Sequence, residues 1–116
     1  MSLEITTREF DRVVVVDVVG KLTTTEGTQL RDLIHVLCET GHKKYLLNLA
    51  GVDYVDSTGM GELVRCFSKV RQKGGEMKLL QVNKKVADLL QMTRLNTIFE
   101  IYSEERVVLG AFQRGA

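Results

Sequence analysis

The chain contains no proline, no run of glycine or serine and no low-complexity segment, so nothing in it reads as a linker between domains. It has no excess of either charge: 16 basic residues against 15 acidic ones leave a net charge of +1, and the two signs are interspersed. That balance gives no electrostatic footprint for nucleic acid or for an anionic membrane surface. Long apolar runs are missing as well. The longest, such as Val13 to Val16, are far too short to cross a bilayer. The opening residues, MSLEITTREF, hold no apolar core of signal-peptide length, so a cytoplasmic location is expected. Cysteine is scarce: Cys38 and Cys66 lie on separate predicted helices without C-x-x-C spacing and are expected to be reduced, buried or half-buried thiols. No cluster of His, Cys and Asp has metal-ligand spacing, so no metal and no cofactor are expected.

What is present is an ordinary globular composition, 44% hydrophobic and 27% charged over 116 residues. One domain spanning 1–116 is expected, burying roughly 60–70% of the surface its unfolded chain exposes. No internal repeat is visible, but the segments alternate in type. Ile5 to Arg8 and Val13 to Val19 read as two strands around a turn at Asp11-Arg12, with Gly20 ending the second. After the hydroxyl cluster Thr23-Thr24-Thr25, Leu30, Leu33, Ile34 and Leu37 recur at helical spacing until Gly41. Tyr45 to Leu49 is an apolar run with little alternation, broken only by Asn48, as in a strand covered on both faces. Met60, Leu63, Val64, Phe67 and Val70 mark a second helix, stopped by Gly74-Gly75. Met77 to Val82 reads as a strand. Asn83 caps a short helix carrying Val86, Leu89 and Leu90. Ile98 to Tyr102 is a last strand, and Ser103 opens a final helix with Glu104 and Glu105 in its first turn.

The order ββαβαβαβα predicts an α/β fold. Its sheet has about five strands, mostly parallel, with an antiparallel hairpin at the start and about four helices. In such folds sites gather where strand ends lead into helix starts. Only one such loop is densely polar: Asp56-Ser57-Thr58-Gly59, ahead of the second helix. Residue types alone allow plain capping there, with Ser57 or Thr58 at or next to the cap. Yet the usual Glu or Gln partner three positions on is absent, since Met60 and Gly61 follow. Gly59 and Gly61 also each cost about 0.8–1 kcal/mol in a helix. Glycines there allow close backbone approach by a ligand, a partner or an added group, and open N–H groups suit an anion.

Catalysis fits these residues poorly. Ser57 lacks a G-x-S-x-G frame, and His35 and His42 both precede it and are expected at the surface. The Asp-Thr/Ser-Gly triplet of aspartic proteases is interrupted, and no phosphate-binding G-x-x-x-x-G-K-S/T is present. No catalytic residue is assigned, and the chain is expected not to be an enzyme.

Over nearly its whole length the sequence resembles STAS-domain proteins, in particular the small anti-anti-sigma factors (anti-sigma factor antagonists) of bacteria. The resemblance rests on V-V-V-D-V-V-G-K-L-T at 14–23, Y-L-L-N-L-A-G-V-D-Y-V-D-S-T-G-M-G at 45–61, G-G-E-M-K-L-L-Q-V at 74–82, and the late V-A-D-L-L-Q-M-T-R-L segment. It implies a partner-switching regulator of transcription. In its unphosphorylated form such a protein binds an anti-sigma factor with serine kinase activity and so releases a sigma factor. The kinase phosphorylates the serine after the motif aspartate, here Ser57 with Thr58 as the alternative, and a serine phosphatase resets the switch. Asp56, Thr58 and Gly59 would support the phosphosite. The partner surface would comprise Lys21, Leu22, Thr23, Thr24, Asp53, Tyr54, Val55 and Asp56, with Met60 and Glu62 at an exposed helix start; Met60 could equally be core. The run Gly20-Lys21-Leu22-Thr23 departs from the family's usual acidic first-loop position. Two alternatives stay open: a phospho-switch on a non-sigma partner such as a phosphatase, cyclase or stress-sensing complex, and a small-ligand-binding STAS module without phosphorylation. A monomer is expected, with the edge of the first hairpin as the route to a dimer.

Overall fold

The computed structural model describes residues 3–114, and the side chains of all of these except 24–26, 113 and 114. Five strands form one sheet in the order of the chain: β1 (Glu4–Phe10), β2 (Val13–Leu22), β3 (Lys44–Val55), β4 (Glu76–Leu80) and β5 (Ile101–Tyr102). The first pair is antiparallel and the others are parallel. Helices α1 (Thr24–Glu39), α2 (Ser57–Gln72) and α3 (Lys84–Met92) connect the parallel strands, and α4 (Glu105–Arg114) ends the fold. This is the expected ββαβαβαβα order.

Strand periodicity sorts the side chains into two cores. Val14, Val16, Tyr45, Leu47 and Leu49 face one side and pack with Leu30 and Ile34 of α1, Leu63 and Val70 of α2, and Val86 and Leu90 of α3. Val13, Val15 and Leu46 face the other and meet Val108 and Phe112 of α4. A sheet laid down in chain order with same-handed crossovers must carry α1, α2 and α3 on one face. That leaves α4 to cover the second. Cys38 and Cys66 are both buried free thiols in the larger core.

Several element ends differ from the sequence expectation. The hairpin turn is Asp11-Arg12, with φ of 53° and 71°, and Phe10 pairs with Val13. This is the mirror-image two-residue turn that matches strand twist, and it lets β1 run past Arg8 to Phe10. Gly20 does not end β2. Its φ of 122° sits at a register shift against β3, and the strand continues to Leu22; the glycine marks a bulge. β3 likewise passes Leu49 and carries on to Val55, because the extended end of β2 supplies ladder partners as far as Leu22↔Val55. β4 stops at Leu80, before Gln81 at φ 54°. The last strand is only Ile101–Tyr102: Leu95–Thr97 forms a short 3-10 turn, and Phe99 turns into the core with its ring 5.1 Å from Phe67.

Candidate functional site

β2 and β3 finish side by side, and their last residues build the start of α2. The Asp56 N–H donates to the Leu22 carbonyl at 3.3 Å, which fixes the chain at the point where it leaves the sheet. Asp56 then caps the helix itself: its backbone is extended, and its Oδ1 accepts the Gly59 N–H at 2.7 Å. The expected cap at or beside Ser57 is thus Asp56. Ser57 and Thr58 occupy the first two helical positions, and both are exposed. Their N–H groups belong to the first turn, which has no intrahelical acceptors.

Gly59 has a different reason from those the sequence suggested. A Cβ built there would lie 2.0 Å from the Leu22 carbonyl oxygen, so the close approach is made by the protein's own β2 backbone. Gly61, in contrast, has nothing within 4 Å of its Cβ position, and its absent side chain leaves open space beside the helix start.

The remaining expected contact residues divide sharply. Asp53 and Tyr54 are exposed, while Lys21 and Thr23 are half-buried. Lys21 Nζ lies 3.5 Å from an Asp53 carboxylate oxygen and 5.7 Å from the centroid of the Tyr54 ring. Lys21 is thus a cation already paired within its own surface. Thr24 begins α1, but its side chain falls outside the described residues. Leu22 is buried, as are Val55 and Met60, all three within the main core. Of the three only Val55, 8% exposed, keeps an edge at the surface, and Met60 resolves to its core role.

Glu62 corrects the expectation most clearly. It is only 3% exposed, and its carboxylate lies 3.3 Å from Arg31 of α1 and 3.5 Å from Arg65 of its own helix. Burying a carboxylate is tolerable only with such partners. Gly27 makes room for it, since a Cβ at that position would come 2.8 Å from Glu62 Cγ. Gly27 and Arg31 escaped the sequence reading. Their one visible signal was a glycine in a helix, four residues before an arginine.

His42 precedes β3, at the end opposite Ser57, and His35 lies along α1 in a groove with Arg65 and Lys69. Burial, with help from nearby Glu62, pushes the Cys66 thiol up to about 12, leaving it unreactive at neutral pH. Among the described residues, no group of three or more His, Cys, Asp or Glu side chains could hold a metal ion, and no helix is long and apolar enough to cross a membrane. What the arrangement offers is two exposed hydroxyls at a helix start with unpaired donors around them.

The STAS domain family matches residues 4–107, and the chain belongs to that family. Among its relatives is the anti-sigma-B factor antagonist of Bacillus subtilis, 28% identical over 101 residues that cover 87% of this chain and 92% of the relative. A putative anti-sigma factor antagonist from Thermotoga maritima has the same fold, with a TM-score of 0.87 at 23% identity, covering 92% of each chain. The Bacillus cell fate determinant SpoIIAA, solved in its phosphorylated form, superposes with a TM-score of 0.76 at 18% identity, over 94% of this chain and 99% of that one.

Proposed function

We propose that this STAS domain is an anti-sigma factor antagonist that acts as a partner switch, with Ser57 as the modified residue. Unphosphorylated, it binds an anti-sigma factor with serine kinase activity and thereby frees a sigma factor. ATP and Mg²⁺ belong to that kinase, a serine phosphatase reverses the reaction, and this chain serves as substrate and ligand in the cytoplasm. The relatives named for this role support the reading, as does the existence of SpoIIAA in a phosphorylated form.

The observation that carries it is the position of Ser57: an exposed hydroxyl at the first residue of α2, directly after a cap carboxylate that is already engaged by Gly59. A phosphate there adds about −1.5 to −2 charges beside Asp56. The positive end of the helix and its open N–H groups accommodate that charge without unfolding the domain. The effect therefore falls on the partner, which meets added bulk and like charge. An unpaired charge buried in an interface costs several kcal/mol, enough to turn tight binding into negligible binding.

The test uses anti-sigma kinases from the same genome, with binding read by calorimetry. Ser57→Ala is expected to bind constitutively and Ser57→Asp not at all. Equal binding of the two variants would remove phosphorylation control from this site.

A further inference from the structure

Because Leu22, Val55, Met60 and Glu62 are buried, most of the apolar contact expected around Ser57 is unavailable to a partner. Specific interfaces nevertheless need an apolar centre, usually built on aromatic or methionine anchors. Such a surface lies where α3 meets the end of β3, and its α3 residues are outside those that the sequence singled out for binding. Tyr54 and Val55 at the end of β3 form, with Leu89 and Met92 of α3, a groove of about 380 Å³. Tyr54 is 48% exposed and Met92 80% exposed, while Leu89 is half-buried. Asn83 ties α3 to this strand end, its Nδ2 donating to the Val52 carbonyl at 2.9 Å.

Resting on the switch reading above, we propose that this groove is the anchor pocket for the anti-sigma kinase, filled by an apolar side chain of that protein when it covers Ser57. Reach supports the assignment. Val55 is two residues from Ser57, so their Cα atoms are at most about 7.6 Å apart. A standard interface covers about 800 Å² on each partner, a patch of roughly 16 Å radius. A partner centred on Ser57 therefore also reaches Val55 at the edge of the groove.

Charge supports a protein as the occupant. The groove's own lining carries one lysine and one aspartate, Lys85 and Asp88, and the lysines flanking it are paired, Lys84 with Asp88 at 3.0 Å and Lys21 with Asp53 at 3.5 Å. Lys85 is left as a single cation in the lining, which is not the clustered basic patch that a nucleic acid or an anionic lipid surface requires. The larger groove between α1 and α2 makes a weaker candidate: its cations are tied down, Arg31 and Arg65 to Glu62 and Lys69 to Glu39, and it borders neither Tyr54 nor Val55.

The experiment measures affinity for the kinase that phosphorylates this chain, using wild type, Ser57→Asp, Met92→Glu, Tyr54→Ala and, on the far face of the sheet, Val107→Glu. Unfolding midpoints confirm that each variant is folded; Tyr54, Met92 and Val107 are all exposed. The expected result is at least a tenfold rise in Kd for Met92→Glu and Tyr54→Ala, none for Val107→Glu, and slowed amide exchange along α3 in the complex. If Ser57→Asp abolishes binding while Met92→Glu and Tyr54→Ala bind like wild type with α3 exchange unchanged, the groove assignment is wrong and the switch stands. If Ser57→Asp binds like wild type, the switch itself fails and the groove assignment falls with it.

Discussion

The starts of α2 and α3 are built on one plan and differ in what the plan exposes. Each follows a parallel strand, and each cap oxygen accepts the N–H three residues on: Asp56 from Gly59 at 2.7 Å, Asn83 from Val86 at 2.8 Å. The Asn83 amide has a second task, since its Nδ2 holds the Val52 carbonyl at 2.9 Å, a bond no carboxylate can donate. Asp56 is fixed instead through its backbone N–H on Leu22. After the caps come Lys84 and Lys85 on α3 but Ser57 and Thr58 on α2, all exposed. Lysines at a helix start add to its positive end, unfavourably for the helix, and they carry no hydroxyl to which a phosphate could be attached. The α2 start leaves hydroxyls where an added anion is stabilised. Capping is common to both, and the modifiable residue is what separates them.

The largest expected effect comes from the glycines of α2. Gly59→Ala places a Cβ 2.0 Å from the Leu22 oxygen and should cost about 3 kcal/mol or more in urea unfolding, the upper end for overpacking. Gly61→Ala meets nothing within 4 Å and should stabilise by up to about 1 kcal/mol. Equal effects from the two would mean that the Leu22 contact does not set the α2 start.

The caps give the next effect. Asn83→Ala loses both the cap and the Val52 bond, about 2 kcal/mol in all, whereas Asp56→Ala loses the cap alone, about 1 kcal/mol. Exchanging the residue types sharpens the contrast. Asn83→Asp keeps its cap but forfeits the Val52 bond, about 1 kcal/mol, while Asp56→Asn should be close to neutral. Chemical denaturation of the four variants checks the order.

Acid sensitivity is the smallest effect, and it belongs to α4 rather than to either start. Arg8 bonds Asp17 of β2 at 2.7 Å and Glu105 of α4 at 2.7 Å. Its hydrogen bonds hold both carboxyls below their ordinary values. Depressed carboxyl values mean that the unfolded chain takes up protons first. The stabilisation is therefore complete above the ordinary carboxylate range near about 4 and is lost as pH falls through the lower folded values. All three side chains keep solvent contact, so the loss should stay below about 1 kcal/mol per pair. Arg8→Gln should flatten the acid limb of a stability–pH curve.

The class of fold was readable in the sequence because it rests on local periodicity: Val13 to Val16 alternates between two cores, and Leu63, Phe67 and Val70 recur on one helical face. Element ends were not readable where pairing overrides local signals. Gly20 looks like a stop but bulges, since β3 continues beside it. The Asp56-Ser57-Thr58-Gly59 stretch was visible as a polar helix start. The reason for Gly59 was not, because its neighbour Leu22 is remote in sequence. Glu62 looked exposed for the same reason: its partners Gly27 and Arg31 lie on another helix. On α3, Leu89 and Met92 continue the apolar stripe, but only the fold shows that they end beside Tyr54.

The most direct test of the switch is intact mass with site mapping after incubation with the anti-sigma kinase and ATP. A single phosphate on Ser57, absent from Ser57→Ala, is predicted. A phosphate on Thr58 alone, or none on wild type under conditions where the kinase modifies its own antagonist, would contradict it.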